Sequence, residues 1–152
     1  METFKNAVTI RRTAEDVFAF LADFENVPRW NYAIASTTKV SPGAVGVGTV
    51  YRQIRSIPSR AEEGFEVTVF QPGRRLAVEG EIGPFHARVS YLLEPAGYET
   101  KLTNDVELEP SSTLTRLLAP LAVSRVKVAV AQNLDELRRI LEAEERARSE
   151  IG

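Results

Sequence analysis

The sequence of 152 residues contains no cysteine and a single histidine, His86. Without cysteine the chain cannot form disulfides, thiolate nucleophiles or thiolate metal sites. The absence of cysteine fits a reducing and an oxidising compartment equally well. A Ser-His-Asp triad would have to use His86, and a transition-metal site would consist mostly of carboxylates. Glu62, Glu63 and Glu66 form such a group, but their pattern is typical of a solvated strand edge. We therefore expect neither a metal nor a cofactor.

Long apolar runs and basic clusters are also missing. No stretch approaches the roughly 18 apolar residues of a membrane-spanning helix, and the N-terminal segment METFKNAVTI lacks the apolar core of a signal peptide. The formal net charge is -2, and basic residues occur as scattered pairs such as Arg11-Arg12 and Arg138-Arg139. We expect a cytoplasmic protein with no stable membrane insertion and no nucleic-acid partner.

What the sequence does contain is a regular succession of strands. Turn signals built on proline and glycine fall at 41–43, 57–59, 71–73, 83–84 and 95–97, and they divide the chain after Tyr32 into six strands. An earlier strand is predicted over residues 3–10. The last two strands alternate apolar and polar residues, which predicts an antiparallel sheet with one solvated face.

Helices are predicted at both ends of this sheet. Thr13-Ala14-Glu15-Asp16 has the spacing of a capping box, and Asn26-Val27-Pro28 indicates a second, short helix with proline in its first turn. After a cap at Ser111 or Ser112, a long helix is predicted to run to about Arg148, with Pro120 kinking or restarting it. Its predicted sheet-facing stripe consists of Leu114, Leu117, Leu118, Leu121, Val126, Val130, Leu134, Leu137 and Leu141.

Several segments of this sequence resemble one known superfamily. They are residues 10–18 (IRRTAEDVF), 21–23 (LAD), 27–30 (VPRW), 46–51 (GVGTVY), 71–76 (QPGRRL) and 91–95 (YLLEP). Their order and spacing are similar to the START-like, polyketide cyclase and lipid transport superfamily (SRPBCC), in its polyketide cyclase/dehydrase-type branch. The resemblance covers residues 1–152 as a single domain. It implies an α+β helix-grip fold, in which about seven curved antiparallel strands wrap around the C-terminal helix and leave an apolar cavity between them.

Two polar residues of the last strands are predicted to face this cavity. Tyr91 lies on the apolar face of its strand and could place its hydroxyl in the pocket, or serve as a core aromatic. Asn104 lies among leucines and valines, where a carboxamide needs a partner. His86 falls on the opposite face, so an exposed position is favoured over a catalytic one. Tyr91 and His86 are the candidate catalytic residues.

The remaining candidates depend on less regular patterns. Trp30 and Tyr32 follow the short helices and are candidates for the pocket mouth, with simple packing favoured for Trp30. Either Arg52 or Gln53 could face inward, because neither alternating set on that strand is clean. Together with Val130 of the long helix, these residues complete the predicted ligand-binding set.

These patterns support three hypotheses about function. The first is binding of a small hydrophobic molecule, such as a lipid, an isoprenoid or an aromatic polyketide. The second is a polyketide cyclase or dehydratase that uses polar cavity residues for proton transfer, and the third is a protein-interaction module. If Arg52 and His86 both face solvent, binding without proton transfer is favoured. Whether a reaction is catalysed and whether the chain forms a homodimer both stay open.

Overall fold

The computed structural model describes residues 1–151, and it confirms the helix-grip prediction. Seven antiparallel strands form one sheet in the order β1-β7-β6-β5-β4-β3-β2. The strands are β1 (Glu2–Ile10), β2 (Ile34–Lys39), β3 (Val50–Arg55), β4 (Ala61–Gln71), β5 (Arg75–Ile82), β6 (Phe85–Ala96) and β7 (Glu99–Pro110). The helices are α1 (Ala14–Ala22), α2 (Val27–Trp30) and α3 (Thr113–Ile151), with a 3-10 turn at Phe24–Asn26. No helix among the described residues is both long and apolar enough to span a membrane.

The helix starts largely follow the capping signals. The hydroxyl of Thr13 accepts a hydrogen bond from the amide of Asp16 at 3.2 Å, and the Ser112 hydroxyl accepts one from the amide of Thr115 at 3.1 Å. These bonds satisfy amides that have no partner inside the helix. The second helix begins where Asn26-Val27-Pro28 predicts, with proline in its first turn, but the Asn26 side chain makes no cap bond and instead donates to the carbonyl of Phe20 at 3.4 Å. Pro120 lies inside α3 and does not end it.

The concave face of the sheet carries the core, in two clusters. One cluster lies beneath α1, α2 and the C-terminal half of α3, and it includes Leu134, Leu137 and Leu141. The other lies beneath the N-terminal half of α3 and includes Phe85 and Leu108. Alternation places Tyr91 and Asn104 on this face, as the sequence predicts.

The predicted apolar stripe of α3 is wrong in its N-terminal half. Leu114, Leu117, Leu118 and Leu121 are exposed, whereas Ala119 is buried and Ala122, Val123 and Val126 pack on the sheet. Both sides of this half-helix are apolar, so helical spacing alone could not choose the buried one. The smaller residues face inward, where Phe4 and Phe85 already fill much of the space.

Gly80 marks a close approach between β4 and β5. A Cβ atom at this position would overlap the carbonyl oxygen of Gly64 and would lie 2.6 Å from the Cβ of Phe65. Real Cβ contacts essentially never reach such distances, so the sequence requires glycine here. The same strand pair carries a register shift between Val67 and Val69, which locally disrupts the ladder.

Candidate functional site

A cavity of about 120 Å³, partly open to solvent, lies between the short helices and the concave face of the sheet. Most of its wall is apolar. It is lined by Leu21, Phe24, Val27, Trp30, Asn31, Gln53, Arg55, Phe65, Val78, Gly80, Glu81, Ile82, Ala87, Val89 and Tyr91.

This position differs from the predicted one. The sequence predicts a cavity between the sheet and the C-terminal helix, but within residues 1–151 the lining residues come from α1, α2, the 3-10 turn and strands β3 to β6. The N-terminal half of α3 instead sits directly on the second core cluster, because its small inward residues allow close packing. Val130 packs between both clusters and does not line the cavity.

Phe24 and Phe65 line the cavity, and the ring of Tyr51, which does not line it, packs against both. The rings of Tyr51 and Phe65 are stacked, with centroids 5.2 Å apart and planes 14° from parallel. Phe24 meets both rings edge-on or tilted, at 5.4 Å from Phe65 and 4.9 Å from Tyr51. Offset and edge-to-face contacts of this kind hold the rings in fixed orientations.

A buried polar cluster adjoins the cavity: Gln53 and Arg55 line the cavity, and both contact Glu63 on β4, which does not line it. This carboxylate accepts hydrogen bonds from Gln53 Nε2 at 2.8 Å, Arg55 Nε at 2.9 Å and the backbone amide of Gly83 at 2.8 Å. The side chain of Glu63 is 3% exposed and that of Arg55 is 14% exposed. The two strands place Gln53 directly opposite Glu63, so the register of β3 and β4 builds this cluster.

The Glu63 cluster stays charged at neutral pH. Burial alone raises the pKa of Glu63, but hydrogen bonds from Arg55, Gly83 and Gln53 outweigh this effect and hold that pKa below its ordinary value. Only the Nε of Arg55 is used in the ion pair. Within residues 1–151, the nitrogens Nη1 and Nη2 of Arg55 have no hydrogen-bond partner, although Arg55 lines the cavity. They are donors available to a ligand oxygen.

Tyr91 and Asn104 are both predicted to bind the ligand and lie on neighbouring strands, but of the two only Tyr91 lines the cavity. Burial raises the pKa of the Tyr91 phenol well above the ordinary value, so the hydroxyl stays protonated and can donate. Asn104 is fully buried, and its Nδ2 donates weakly to the carbonyl of Ser90 at 3.5 Å. Among residues 1–151 its Oδ1 has no hydrogen-bond partner. The two residues are paired across β6 and β7.

Other predicted site residues lie outside the cavity. Strand β3 turns Gln53 inward and Arg52 outward, which settles the ambiguity in the sequence and removes Arg52 from the site. His86 is exposed on the convex face, where its Nδ1 lies 3.2 Å from Glu81 Oε1. Trp30 is buried and lines the cavity, whereas Tyr32 is 71% exposed and borders an outer groove between α2 and α3. Trp30 borders that groove as well.

Sequence reasoning missed Arg55 and Glu63. Glu63 was interpreted as part of a solvated edge because two other glutamates lie nearby. The signal that could have found it is parity, since Glu63 alternates with Phe65 and Val67, which both turn inward. A carboxylate on that face needs a buried cationic partner, and Arg55 is the arginine in phase with the inward residues Tyr51 and Gln53.

Fold and site together define a class of protein. A long helix gripped by a curved antiparallel sheet, with an apolar cavity and a few buried polar groups, is the architecture of START-like helix-grip proteins. A family model described as polyketide cyclase / dehydrase and lipid transport matches residues 1–142. The chain belongs to this family. No curated protein matches its sequence.

Solved structures show the same fold at low sequence identity. TTHA0849 from Thermus thermophilus is similar with a TM-score of 0.78 and 17% identity, over 94% of this chain and 99% of that one. The di-domain ARO/CYC protein StfQ from the steffimycin biosynthetic pathway has a TM-score of 0.77 and 15% identity, over 95% of this chain and 51% of StfQ. A START superfamily protein from Mycobacterium smegmatis has a TM-score of 0.63 and 19% identity, over 89% of this chain and 98% of that one.

Proposed function

We propose that this protein binds a small, largely apolar molecule whose single polar group is an uncharged oxygen acceptor, such as a ketone or a phenol. The observation that carries the proposal is Arg55, which lines a mostly apolar cavity and whose Nη1 and Nη2 have no hydrogen-bond partner within residues 1–151. A ligand oxygen beside Arg55 would accept the hydrogen bonds that water accepts from an exposed arginine.

The charge state of the Glu63 cluster decides what kind of oxygen fits. An isolated inward arginine would favour a carboxylate or phenolate. Here Glu63 already neutralises Arg55 at 2.9 Å. A second full negative charge would be desolvated without a compensating partner, which is costly. A carbonyl or phenol oxygen can accept from Nη1 or Nη2 without bringing a charge.

Cavity size limits the ligand further. A volume of about 120 Å³ is close to that of engineered apolar cavities, near 150 Å³, that hold benzene, and it is below the range of about 300–1,000 Å³ for drug-sized ligands. One substituted ring therefore fits the cavity. A lipid, an isoprenoid or a polycyclic polyketide would require α2 and the 3-10 turn to move away from the sheet.

Binding without proton transfer is supported by the titratable groups. Arg52 and His86 both face solvent. The raised pKa of Tyr91 keeps its phenol protonated, so it is not a base near neutral pH. Glu63 is ionised, and its oxygens are occupied by three donors. Glu81 is the one carboxylate in the described lining, and its exposed side chain lies 3.2 Å from His86 on the convex face. The cavity side of the lining therefore offers the donors of Arg55 and Tyr91 rather than an acid and base pair.

The test uses Trp30, the only tryptophan of the chain, as a fluorescent reporter in the cavity wall. Acetophenone, ethylbenzene and benzoate have nearly the same size but offer a neutral acceptor, no acceptor and an anion. We expect acetophenone to bind tightest. The double variant Arg55→Met/Glu63→Gln, which strands no charge, should weaken acetophenone binding about tenfold or more and leave ethylbenzene unchanged, because hydrogen bonds to charged groups contribute about 1.5–3 kcal/mol.

Arg52→Met is the matched control, because it removes an arginine from the neighbouring position of the same strand but on the solvent face. It should bind all three probes like the unmodified protein. Equal affinity for acetophenone and ethylbenzene, or an equal loss in Arg52→Met, would refute the assignment of Arg55. Tighter binding of benzoate would contradict the preference for an uncharged ligand.

One observation favours a second candidate, a cyclase or dehydratase. The protonated hydroxyl of Tyr91 and the donors of Arg55 line the same cavity, so both could polarise a ligand carbonyl. The fold similarity to the ARO/CYC protein StfQ is compatible with this reaction class. If a polyketide-like substrate is turned over, Tyr91→Phe should slow turnover without abolishing binding, and unchanged turnover would remove Tyr91 from the mechanism.

A further inference from the structure

The N-terminal half of α3 presents an unusual apolar surface to solvent. Leu114, Leu117, Leu118 and Leu121, together called the leucine face, are between 56% and 75% exposed. Their spacing of three and four residues places them on one side of the helix, opposite the side that packs on the sheet. Four neighbouring leucines on one exposed helix side form a contiguous patch, which in a monomeric protein marks an interaction surface.

All charged side chains in the segment that carries the leucine face are basic. Residues 110–134 contain Arg116, Arg125 and Lys127 and no acidic residue, although the chain as a whole has 21 acidic and 19 basic side chains. Arg116 pairs with Glu109 at 3.4 Å. Arg125 and Lys127 are exposed and form no ion pair with any carboxylate of residues 1–151. At about 100° per residue, Arg125 continues the leucine face one turn beyond Leu121, whereas Lys127 lies on a more distant side of the helix, about 130° from the centre of that face.

We propose that the leucine face docks this protein on an anionic lipid bilayer. The leucines would enter the boundary between headgroups and acyl chains, and Arg125 would contact lipid phosphates. Lys127 would lie close enough to be attracted by the anionic surface. A helix with one apolar side and basic residues beside it binds in the plane of the interface and does not span it. The acidic remainder of the chain would be repelled by the same lipids, which fixes the side of the molecule that faces the membrane.

Charge also distinguishes a bilayer from a second copy of the chain. If two leucine faces packed on each other, Arg125 of each copy would meet a segment that holds no carboxylate. An anionic bilayer supplies the missing negative charge over the whole surface. This docking role is independent of the ligand proposed for the cavity, and either proposal can fail alone.

The apolar contribution is tested by co-sedimentation of the full chain with vesicles of equal parts phosphatidylcholine and phosphatidylserine. We expect binding to these vesicles and little binding to phosphatidylcholine alone. The variant Leu117→Glu/Leu121→Glu should lose at least about tenfold in affinity, because it places charge in the apolar layer. Its matched control is Val47→Glu/Tyr98→Glu, which adds the same charge at apolar residues that are 70% and 89% exposed elsewhere. The control should lose much less.

The basic residues are tested with Arg125→Gln/Lys127→Gln, which cannot disturb the core because both side chains are exposed. Each removed cation should weaken binding about fivefold, corresponding to about 1 kcal/mol near an anionic surface. Arg74→Gln/Arg146→Gln, at two exposed arginines outside the segment, is the control and should change binding far less. Equal binding to both kinds of vesicle would overturn the proposal. It would also be overturned by a stable dimer in sedimentation equilibrium that Leu117→Glu/Leu121→Glu dissociates.

Discussion

The ion pair between Arg55 and Glu63 allows a quantitative prediction about stability. Replacing Glu63 by glutamine removes the negative charge but keeps the size of the side chain. Arg55, which is 14% exposed, then lacks its counter-charge. The NH2 group of the glutamine is itself a donor, so it faces at least one of the three donors whose hydrogen bonds Glu63 accepts. Breaking a buried ion pair from one side costs about 3–5 kcal/mol. We expect the lower end of this range, about 3 kcal/mol, because Arg55 retains some access to water.

A double-mutant cycle at pH 7, measured by urea denaturation, separates the pair from its parts. Arg55→Met should cost about 2–3 kcal/mol, somewhat less than Glu63→Gln, because Gln53 and Gly83 still donate to the remaining carboxylate. The double variant should be more stable than the sum of the two losses predicts by at least about 1 kcal/mol, because it leaves no unpaired charge.

The dependence on pH gives an independent check. The pKa of Glu63 is below 4.5 in the folded state, so its stabilising effect is complete above the unfolded-state pKa and is lost as the pH falls through the lower folded value. The stability difference between the unmodified protein and Glu63→Gln should therefore shrink on acidification below about pH 4.5. Glu142 also has a lowered pKa, but it titrates in both proteins and cancels in the difference. A loss below about 1 kcal/mol at pH 7, or a difference independent of pH, would refute this reasoning.

Three further predictions concern the free energy of unfolding, measured by urea denaturation. Gly80→Ala should destabilise the protein by about 1–3 kcal/mol or more, because the new Cβ meets backbone that cannot yield. The control Gly46→Ala, where a Cβ has nothing within 4 Å, should be nearly neutral. Similar losses in the two variants would contradict the close approach of β4 and β5. Leu137→Ala should cost about 2–5 kcal/mol, because Leu137 is fully buried, and a loss near zero would mean that α3 does not pack there. Thr13→Ala should cost about 1 kcal/mol by removing the cap of α1, and an unchanged midpoint would show that this bond contributes nothing.

The sheet could be predicted from the sequence because alternation in β6 and β7 is nearly regular. That pattern placed Tyr91 and Asn104 inward and His86 outward. Strand β3 could not be resolved in this way, since Arg52 and Gln53 are both polar and its inward face carries a charged partner. Only the neighbouring strand, which sets Gln53 opposite Glu63, decides the parity.

The long helix shows a different limit of sequence reasoning. Around Leu117 the helix is apolar on both sides, so periodicity predicts a helix correctly but not its rotation. Rotation follows from the volume available on the sheet, which Phe4 and Phe85 leave to Ala119 and its small neighbours. Which side of α3 is buried therefore depends on how the helix packs on the sheet, and not on the helix sequence alone.

The pairing of β1 with β7 has a consequence for how the chain is made. Glu2 lies opposite Leu108, and Ile10 lies opposite Thr100, so β1 cannot pair with β7 until almost a hundred further residues have been synthesised. Before β7 is synthesised, β1 has no partner strand. Once β7 has joined β6, its other edge stays unpaired until β1 binds to it. Such a sheet is completed late, by pairing of two strands that are far apart in the sequence. Folding is therefore expected to be slow compared with that of a helical bundle of similar length.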